Sequence, residues 1–545
     1  MSGWLQHLAI VPILLPLAAG ALMLLFNERR HQLKAGINLT ATLLLAANAL
    51  VLLAEAAGAP ADAAVAEVYL LADWEAPFGI VLVVDRLSAM MLVLVAALGL
   101  AALVFSLARW HRAGTYFHPL FQFLLMGLNG AFLTGDLFNL FVFFEVLLAA
   151  SYGLALHGSG SLRVKAGLHY IAINLAASLV FLIGVALIYG VTGTLNMADL
   201  AARVPTVVGG DRVLLEVGAA VLGIAFLTKA GMWPLCFWLP TTYAAAAAPV
   251  AALFAVLSKV GIYALLRLWL LLFGADAGAS AYFGADWLLV GGLLTLGFGA
   301  VGMLASQDLA RMAGYSVLVS SGTLLAAIGS GVPAATAPAL YYMVSSTLAI
   351  AAFFLLIELI ERGRRAGADI LAVTLEAFGA ADVEPEEDEA GMVIPATMAL
   401  LGLSFLLCAL LLAGLPPVSG FIAKFALLSA LFNSGGLGAD GSIAVVAWVL
   451  LAALLLSGLA ALIGMTRAGI RAFWVPVGNT VPRVRLIEMA PVAVLLALCV
   501  AITVRAGPVM AYMQDTAARL HAPALYVDDV LSVVPARAAA EESDR

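Results

Sequence analysis

Residues 223–240 read GIAFLTKAGMWPLCFWLP, an apolar run with Lys229 near its middle and Gly231, Pro234 and Pro240 in its second half. A helical membrane crossing needs about 20 predominantly apolar residues. An ionised side chain at mid-bilayer costs about 2.5–3.5 kcal/mol on insertion scales, and an internal proline removes a helix hydrogen bond. The run therefore reads as a membrane helix that breaks. Such a break is tolerated where its freed backbone groups are buried in protein or line a watery cavity. Two neighbouring runs carry the same anomaly: DLFNLFVFFEVLLAASYGL (136–154) holds Glu145, and VAALFAVLSKVGIYALLRL (250–268) holds Lys259. Titratable groups at that depth point first to a proton or cation pathway.

The rest of the chain has the same character. Of 545 residues, 64% are hydrophobic and 11% charged, and mean hydropathy is +1.09. A soluble protein of this length has no means of hiding so much apolar surface, so the fold class is an all-α polytopic membrane protein. Roughly fourteen apolar runs are separated by short polar breaks. The run at 392–435 is too long for one straight crossing and contains Pro416 and Pro417, so a second broken helix is expected there.

No positive residue precedes the first run, whereas NERRHQLK (27–34) follows it at once. A cleavable leader has the opposite arrangement, so a retained span with an outside N-terminus is expected. Alternating the loops from that start puts fifteen basic residues, from Arg29 to Arg485, on the inner side and six, from Arg203 to Arg545, on the outer side. The positive-inside rule thus predicts that both termini face away from the cytoplasm.

Several function classes drop out. GFGAVG (297–302) fits a dinucleotide pattern, but it lies inside an apolar run with no strand ahead of it, where small residues serve helix packing. Cys236, Cys408 and Cys499 are far apart in apolar sequence and form neither a disulfide framework nor an iron–sulfur site. There is no nucleotide, metal or redox motif, so no cofactor is expected, and uphill transport must draw on another gradient. A net charge of −7 supports no nucleic-acid role. Acids at Asp62, Glu67, Asp73 and Glu75 and in VEPEEDE (383–389) read as solvated loop charge with a weak attraction for cations.

Apolar burial disfavours the charged form of amines and carboxylates alike, and pairing the two restores it. Lys229 beside Glu145 would hold its proton and become ready to release it once Glu145 moved or was protonated, which makes a buried pair a switch. A purely structural pair is the bland alternative. Lys259 supplies a second station, since lysine's proton affinity is adjustable and arginine's hardly is. Arg267 is expected to snorkel or pair locally, and Asp85 to cap a helix or pair with Arg86. Phe138, Phe141, Phe143 and Phe144 read as packing or lipid contact. His169, one turn after Lys165, is a candidate proton inlet, and the other histidines read as loop residues. Lys424 follows the second break, in GLPPVSGFIAKF (414–425). Two interrupted helices, one in each half, suggest inverted repeats with ion sites at the breaks.

TGDLFNLFVFFEVLLAASYGL (134–154), LIYGVTGTLNMADLA (187–201), KAGMWPLCFWLP (229–240), LSKVGIYALLR (257–267), DLARMAGYSVLVSSGTLL (308–325), GLPPVSGFIAKF and APALYVDDVL (522–531) together carry a family resemblance. The chain resembles the D subunits of the Mrp-type multisubunit cation/proton antiporters over about residues 80–530, and more distantly the antiporter-like membrane subunits of complex I. The resemblance implies about fourteen transmembrane helices with two inverted five-helix repeats and broken helices 7 and 12. N-terminal helices would occupy 1–117, the repeats 118–273 and 274–466, and a last helix and tail 467–545. It also implies a proton relay of Glu145, Lys229, Lys259 and Lys424. This chain departs from the pattern at Cys236 and Thr241, where the respiratory relatives tend to carry histidine and aspartate. It departs again at Ser345, where the family often has a histidine. Serine hydrogen-bonds a water but does not hold a proton through a cycle, so Ser345 is a candidate for a water-bridged path.

The expected function is a proton-translocating subunit of a bacterial inner-membrane Na⁺(K⁺)/H⁺ antiporter, working with other subunits of a hetero-oligomeric complex. It would be a transporter rather than an enzyme. A proton-pumping subunit of a complex I-like redox assembly is the alternative, and a scaffold whose buried charges only set helix register is a third reading.

Overall fold

The computed structural model describes residues 7–60, 63–378, 396–433, 444–473 and 484–535, with side chains undescribed over 363–378. Asp62 and the acidic run 383–389 lie outside the described residues. Helices α1 (Val11–Leu24) and α2 (His31–Gly58) lead into a two-stranded antiparallel hairpin, β1 (Val65–Leu70) and β2 (Val81–Asp85). Helices α3 (Arg86–Leu107), α4 (Phe117–Leu133), α5 (Leu137–Ala155) and α6 (Ser161–Thr192) then cross in turn, and α7 (Met197–Arg203) is a short connector. The Lys229 run breaks into α8 (Gly209–Ala230) and α9 (Trp238–Ala245). After it come α10 (Ala248–Leu272), α11 (Ala285–Ala305), α12 (Leu309–Gly329) and α13 (Thr336–Phe378). The second expected break separates α14 (Ala396–Ala413) from α15 (Ser419–Phe432). The chain closes with α16 (Val445–Phe473), α17 (Leu486–Val504), α18 (Ala506–Leu520) and α19 (Pro523–Leu531).

Among the described residues, twelve helices are long and apolar enough to cross a membrane, while α1, α4 and α15 are apolar but shorter. The count of fourteen runs is compatible with this set. One of the apolar runs, residues 79–108, differs in kind: Val81–Asp85 within it form β2, and the helix starts only after Asp85. Asp85 caps α3 through a reciprocal box with Ser88, whose N–H donates to Asp85 at 2.8 Å while the Asp85 N–H donates to Ser88 Oγ at 2.9 Å.

The hairpin marks one end of the bundle, where α18 and α19 also lie; Asp529 accepts from the Ala64 and Val65 N–H groups at 2.8 and 2.9 Å. Glu67 on this hairpin is half-buried rather than solvated, and burial, with Glu55 nearby, pushes its carboxyl up to about 7. The opposite end is rich in arginine. There Trp110 donates to Glu358 at 2.6 Å, and Arg362 joins Glu358 to Glu488 at 2.8 Å on each side.

The two breaks share a local build, Ala230-Gly231-Met232-Trp233-Pro234 and Ala413-Gly414-Leu415-Pro416-Pro417. In each, the glycine takes φ +75° and ends the first half-helix. That left-handed conformation suits glycine and terminates helices readily. α10 runs through the middle of the molecule, and its most apolar window is buried throughout. The small residues of GFGAVG lie in α11, which packs on α12.

Candidate functional site

Lys229 occupies the last turn of α8, at the half-helix end where backbone carbonyls lose their partners and the dipole favours a cation. Its Nζ is buried and has no hydrogen-bond partner among the described residues, and it lies 5.0 Å from the centre of the Phe144 ring. Phe144 is held edge-on by Phe181 and Phe226, so one member of the aromatic run does more than pack: it gives the ammonium a π face. Glu145, the next residue on α5, is partly buried and within electrostatic reach of Lys229. No hydrogen bond joins the two: Glu145 Oε1 and Lys229 Nζ both lack a hydrogen-bond partner among the described residues.

Lys259 is 0% exposed, and its Nζ likewise has no hydrogen-bond partner among the described residues. Gly261, two residues further along α10, brings the helix against the end of α8. A Cβ there would sit 2.6 Å from the Phe226 carbonyl and 2.8 Å from the Ala230 nitrogen. The two helices therefore touch within one turn of both lysines. Tyr152 Oη, Trp238 Nε1 and Tyr243 Oη are also buried without a hydrogen-bond partner among the described residues, and their rings gather around Tyr170 and Phe254, five residues before Lys259 on α10. A buried polar group without a partner costs about 1–3 kcal/mol, so this cluster, packed on the helix that carries Lys259, suits a hydrated path.

Lys424, on α15, reaches back across the second break and donates to the Ala413 carbonyl at 3.1 Å. It thus sits at the C-terminal end of a half-helix, as Lys229 does. Ser345 on α13 shares a hydrogen bond with Ser419, the first residue of α15, at 2.7 Å. Ser346 pairs with Ser320 of α12 at 2.8 Å. Ser320, Ser345 and Ser346, with Ser316 and Tyr342, line a cavity of about 10 Å³, which is close to room for one water. The structure brings Ser345 to the Lys424 break.

His169 is exposed on α6 and stands apart from this group. An open cavity of about 740 Å³ at the arginine-rich end, lined by Glu358, Asp308, Ala248 and Ala251, instead reaches Tyr243. The other histidines are not all loop residues. His118 is buried on α4 and accepts from Asn38 Nδ2 at 2.9 Å. His111 and His157 are buried against backbone carbonyls, and burial holds both imidazoles below the usual histidine range.

Arg267 also departs from expectation. It does not snorkel: it is buried and pairs with Asp85, 182 positions away, through contacts of 2.5 and 2.8 Å. Lys34 is buried too and is paired with Glu28 at 2.5 Å. Its place at the start of an amphipathic stripe with Asn38 and Thr42 was the available signal.

One glycine here is open to test. A Cβ on Gly414 would fall 2.7 Å from Lys424 Cδ, at a residue whose φ of +75° already disfavours any side chain. Gly414→Ala is expected to cost about 1 kcal/mol or more in stability and to displace Lys424 from Ala413. Thermal unfolding of the purified protein and transport by the variant check both effects.

Residues 134–455 match the family described as NADH:quinone oxidoreductase/Mrp antiporter, TM. The chain is 60% identical to the D subunit of a probable K⁺/H⁺ antiporter of Rhizobium meliloti, over 98% of this chain and 99% of that protein. It is 35% identical to the D subunit of a Na⁺/H⁺ antiporter of Alkalihalophilus pseudofirmus, over 97% and 100%. Its structure resembles a chain of the Mrp complex from a Dietzia species (TM-score 0.80, 25% identity, 97% of this chain and 100% of that one). It also shares its fold with a chain of respiratory complex I from Thermus thermophilus (TM-score 0.71, 22% identity, 96% and 99%).

Proposed function

The chain belongs to the family of Mrp-type cation/proton antiporter D subunits, within the group of membrane subunits shared with NADH:quinone oxidoreductase, and on that premise we propose that it moves protons along Glu145, Lys229, Lys259 and Lys424 to drive cation efflux. It is a transporter subunit that works beside partner subunits. The single observation that carries the relay is the meeting of α8 and α10 at two buried lysines with no hydrogen-bond partner among the described residues. An amine held there for structure alone would be expected to have a partner.

In this reading protons enter at the α14–α15 break beside Lys424, pass to Lys259 and Lys229, and leave at the arginine-rich end, where the open cavity reaches Tyr243. Glu145 tunes Lys229 by approaching or withdrawing. The hydroxyls of Ser320, Ser346, Ser345 and Ser419, with a water among them, carry the proton from Lys424 towards Lys259 in place of a histidine. We assign the arginine-rich end to the cytoplasm and both termini to the outside of a bacterial inner membrane. The twin Ala-Gly-x-x-Pro breaks support treating 118–273 and 274–466 as two repeats. The 60% identical relative is named for K⁺, so we expect K⁺ to be exchanged at least as well as Na⁺. One charge moved across 100 mV is worth about 2.3 kcal/mol, enough for excess protons to drive cations uphill.

The test is K⁺- and Na⁺-dependent collapse of ΔpH in everted vesicles, comparing the whole complex with its Lys229→Ala form. Collapse in the wild type and a loss of about tenfold or more in the variant are expected. Unaltered exchange in an assembled Lys229→Ala complex would rule out the relay.

A further inference from the structure

Lys259, Tyr263 and Arg267 stand four residues apart on α10, so they form one stripe that climbs about 12 Å toward the hairpin end. That stripe is the way along α10 between Lys259 and the hairpin end. At its top the guanidinium of Arg267 is fully engaged. It donates to both Asp85 oxygens at 2.5 and 2.8 Å and to Tyr263 Oη at 3.3 Å. It also lies 5.6 Å from the ring centres of Tyr263 and Tyr526.

Tyr526 belongs to α19, and the two C-terminal helices are tied down over this point. Tyr512 donates to the Arg86 carbonyl at 2.7 Å, and Arg519 donates to the Pro60 carbonyl at 2.8 Å. Beneath them is a cavity of about 20 Å³, room for roughly one water, lined by Asp85, Arg86, Arg267, Thr516, Arg519 and Tyr526. Three guanidiniums therefore face a space in which Asp85 is, among the described residues, the one buried carboxylate; Asp515, which pairs with Arg86 at 3.4 Å, is largely exposed.

Arginine stays charged in proteins and takes no part in a relay. A fixed positive charge in a narrow polar passage repels protons and cations. We infer that the Asp85–Arg267 pair, covered by α18 and α19, seals the hairpin end of the Lys259 helix against protons, so that they enter only through the α14–α15 break. This rests on the relay reading for Lys259. The seal is what keeps exchange coupled: an open end would let protons run down their gradient without a cation moving.

The test is passive proton entry into proteoliposomes holding the whole complex, followed with a trapped pH dye and no cation gradient. The combined Asp85→Asn, Arg267→Met protein keeps the volume and removes both charges. Its leak is expected to exceed the wild type's by about tenfold, while Arg267→Lys, which keeps the charge, stays tight. A wild-type leak in the assembled double variant overturns the seal whatever Lys259 does. Adding Lys259→Met should close the leak. A leak that persists without Lys259 leaves the seal standing and removes Lys259 from the path. If the double variant does not assemble, Arg519→Met at the rim of the cavity decides the matter: a leak raised about threefold supports the seal, and a wild-type leak overturns it.

Discussion

Replacing Lys259 by methionine is expected to reduce cation-dependent proton exchange by about tenfold or more while leaving the complex assembled and no less heat-stable. Both halves of that result follow from one environment. The side chain is fully buried, and its Nζ finds no hydrogen-bond partner among the described residues. Exchanging buried ionic groups for well-packed apolar ones of similar volume is often neutral or stabilising by about 1–4 kcal/mol, and methionine fills the same space. A structural lysine would give the opposite pattern, with intact transport and a lowered unfolding temperature. Vesicle assays and thermal unfolding on the same preparation separate the two.

Asp85→Ala is expected to destabilise the protein by about 3–5 kcal/mol, because it strands the Arg267 charge in the interior. The combined Asp85→Asn, Arg267→Met change should cost much less than the single one. Such non-additivity is the signature of a directly coupled pair. The pair joins the start of α3 to the top of α10, and α19 rests on it through Tyr526. The single variant should therefore loosen the C-terminal helices first, and proteolysis near residue 520 should quicken. Thermal unfolding of the solubilised complex measures the energies, and equal losses in the single and double variants would show that the two residues are not coupled.

The spans were legible because lipid imposes the same demand on every crossing: an apolar length and a closed backbone. The breaks were legible for a similar reason, since Gly231 with Pro234 and Gly414 with Pro416 and Pro417 act on the backbone locally. Lys229, Lys259 and Lys424 stood out against their apolar surroundings. Long-range pairing was not legible. Arg267 looked like an end-of-helix residue because its partner Asp85 comes from a different helix boundary, and period and composition say nothing about which distant helices meet. The buried histidines were missed on the same grounds, since His118 is satisfied by Asn38 of α2. β2 hid inside an apolar run because a buried strand and the start of a membrane helix have the same composition. His169 was read from its place one turn after Lys165, and the fold leaves it exposed on α6.

The central claim is that hydrogen ions hop between groups deep in the apolar interior. An experimental density map of the whole complex in lipid, at a resolution that shows ordered water, tests it most directly. The relay predicts waters joining Glu145, Lys229 and Lys259, and a further water among the Ser320, Ser346, Ser345 and Ser419 hydroxyls on the way to Lys424. A dry interior, with Lys229 and Lys259 walled apart by side chains and no water at either amine, would contradict it.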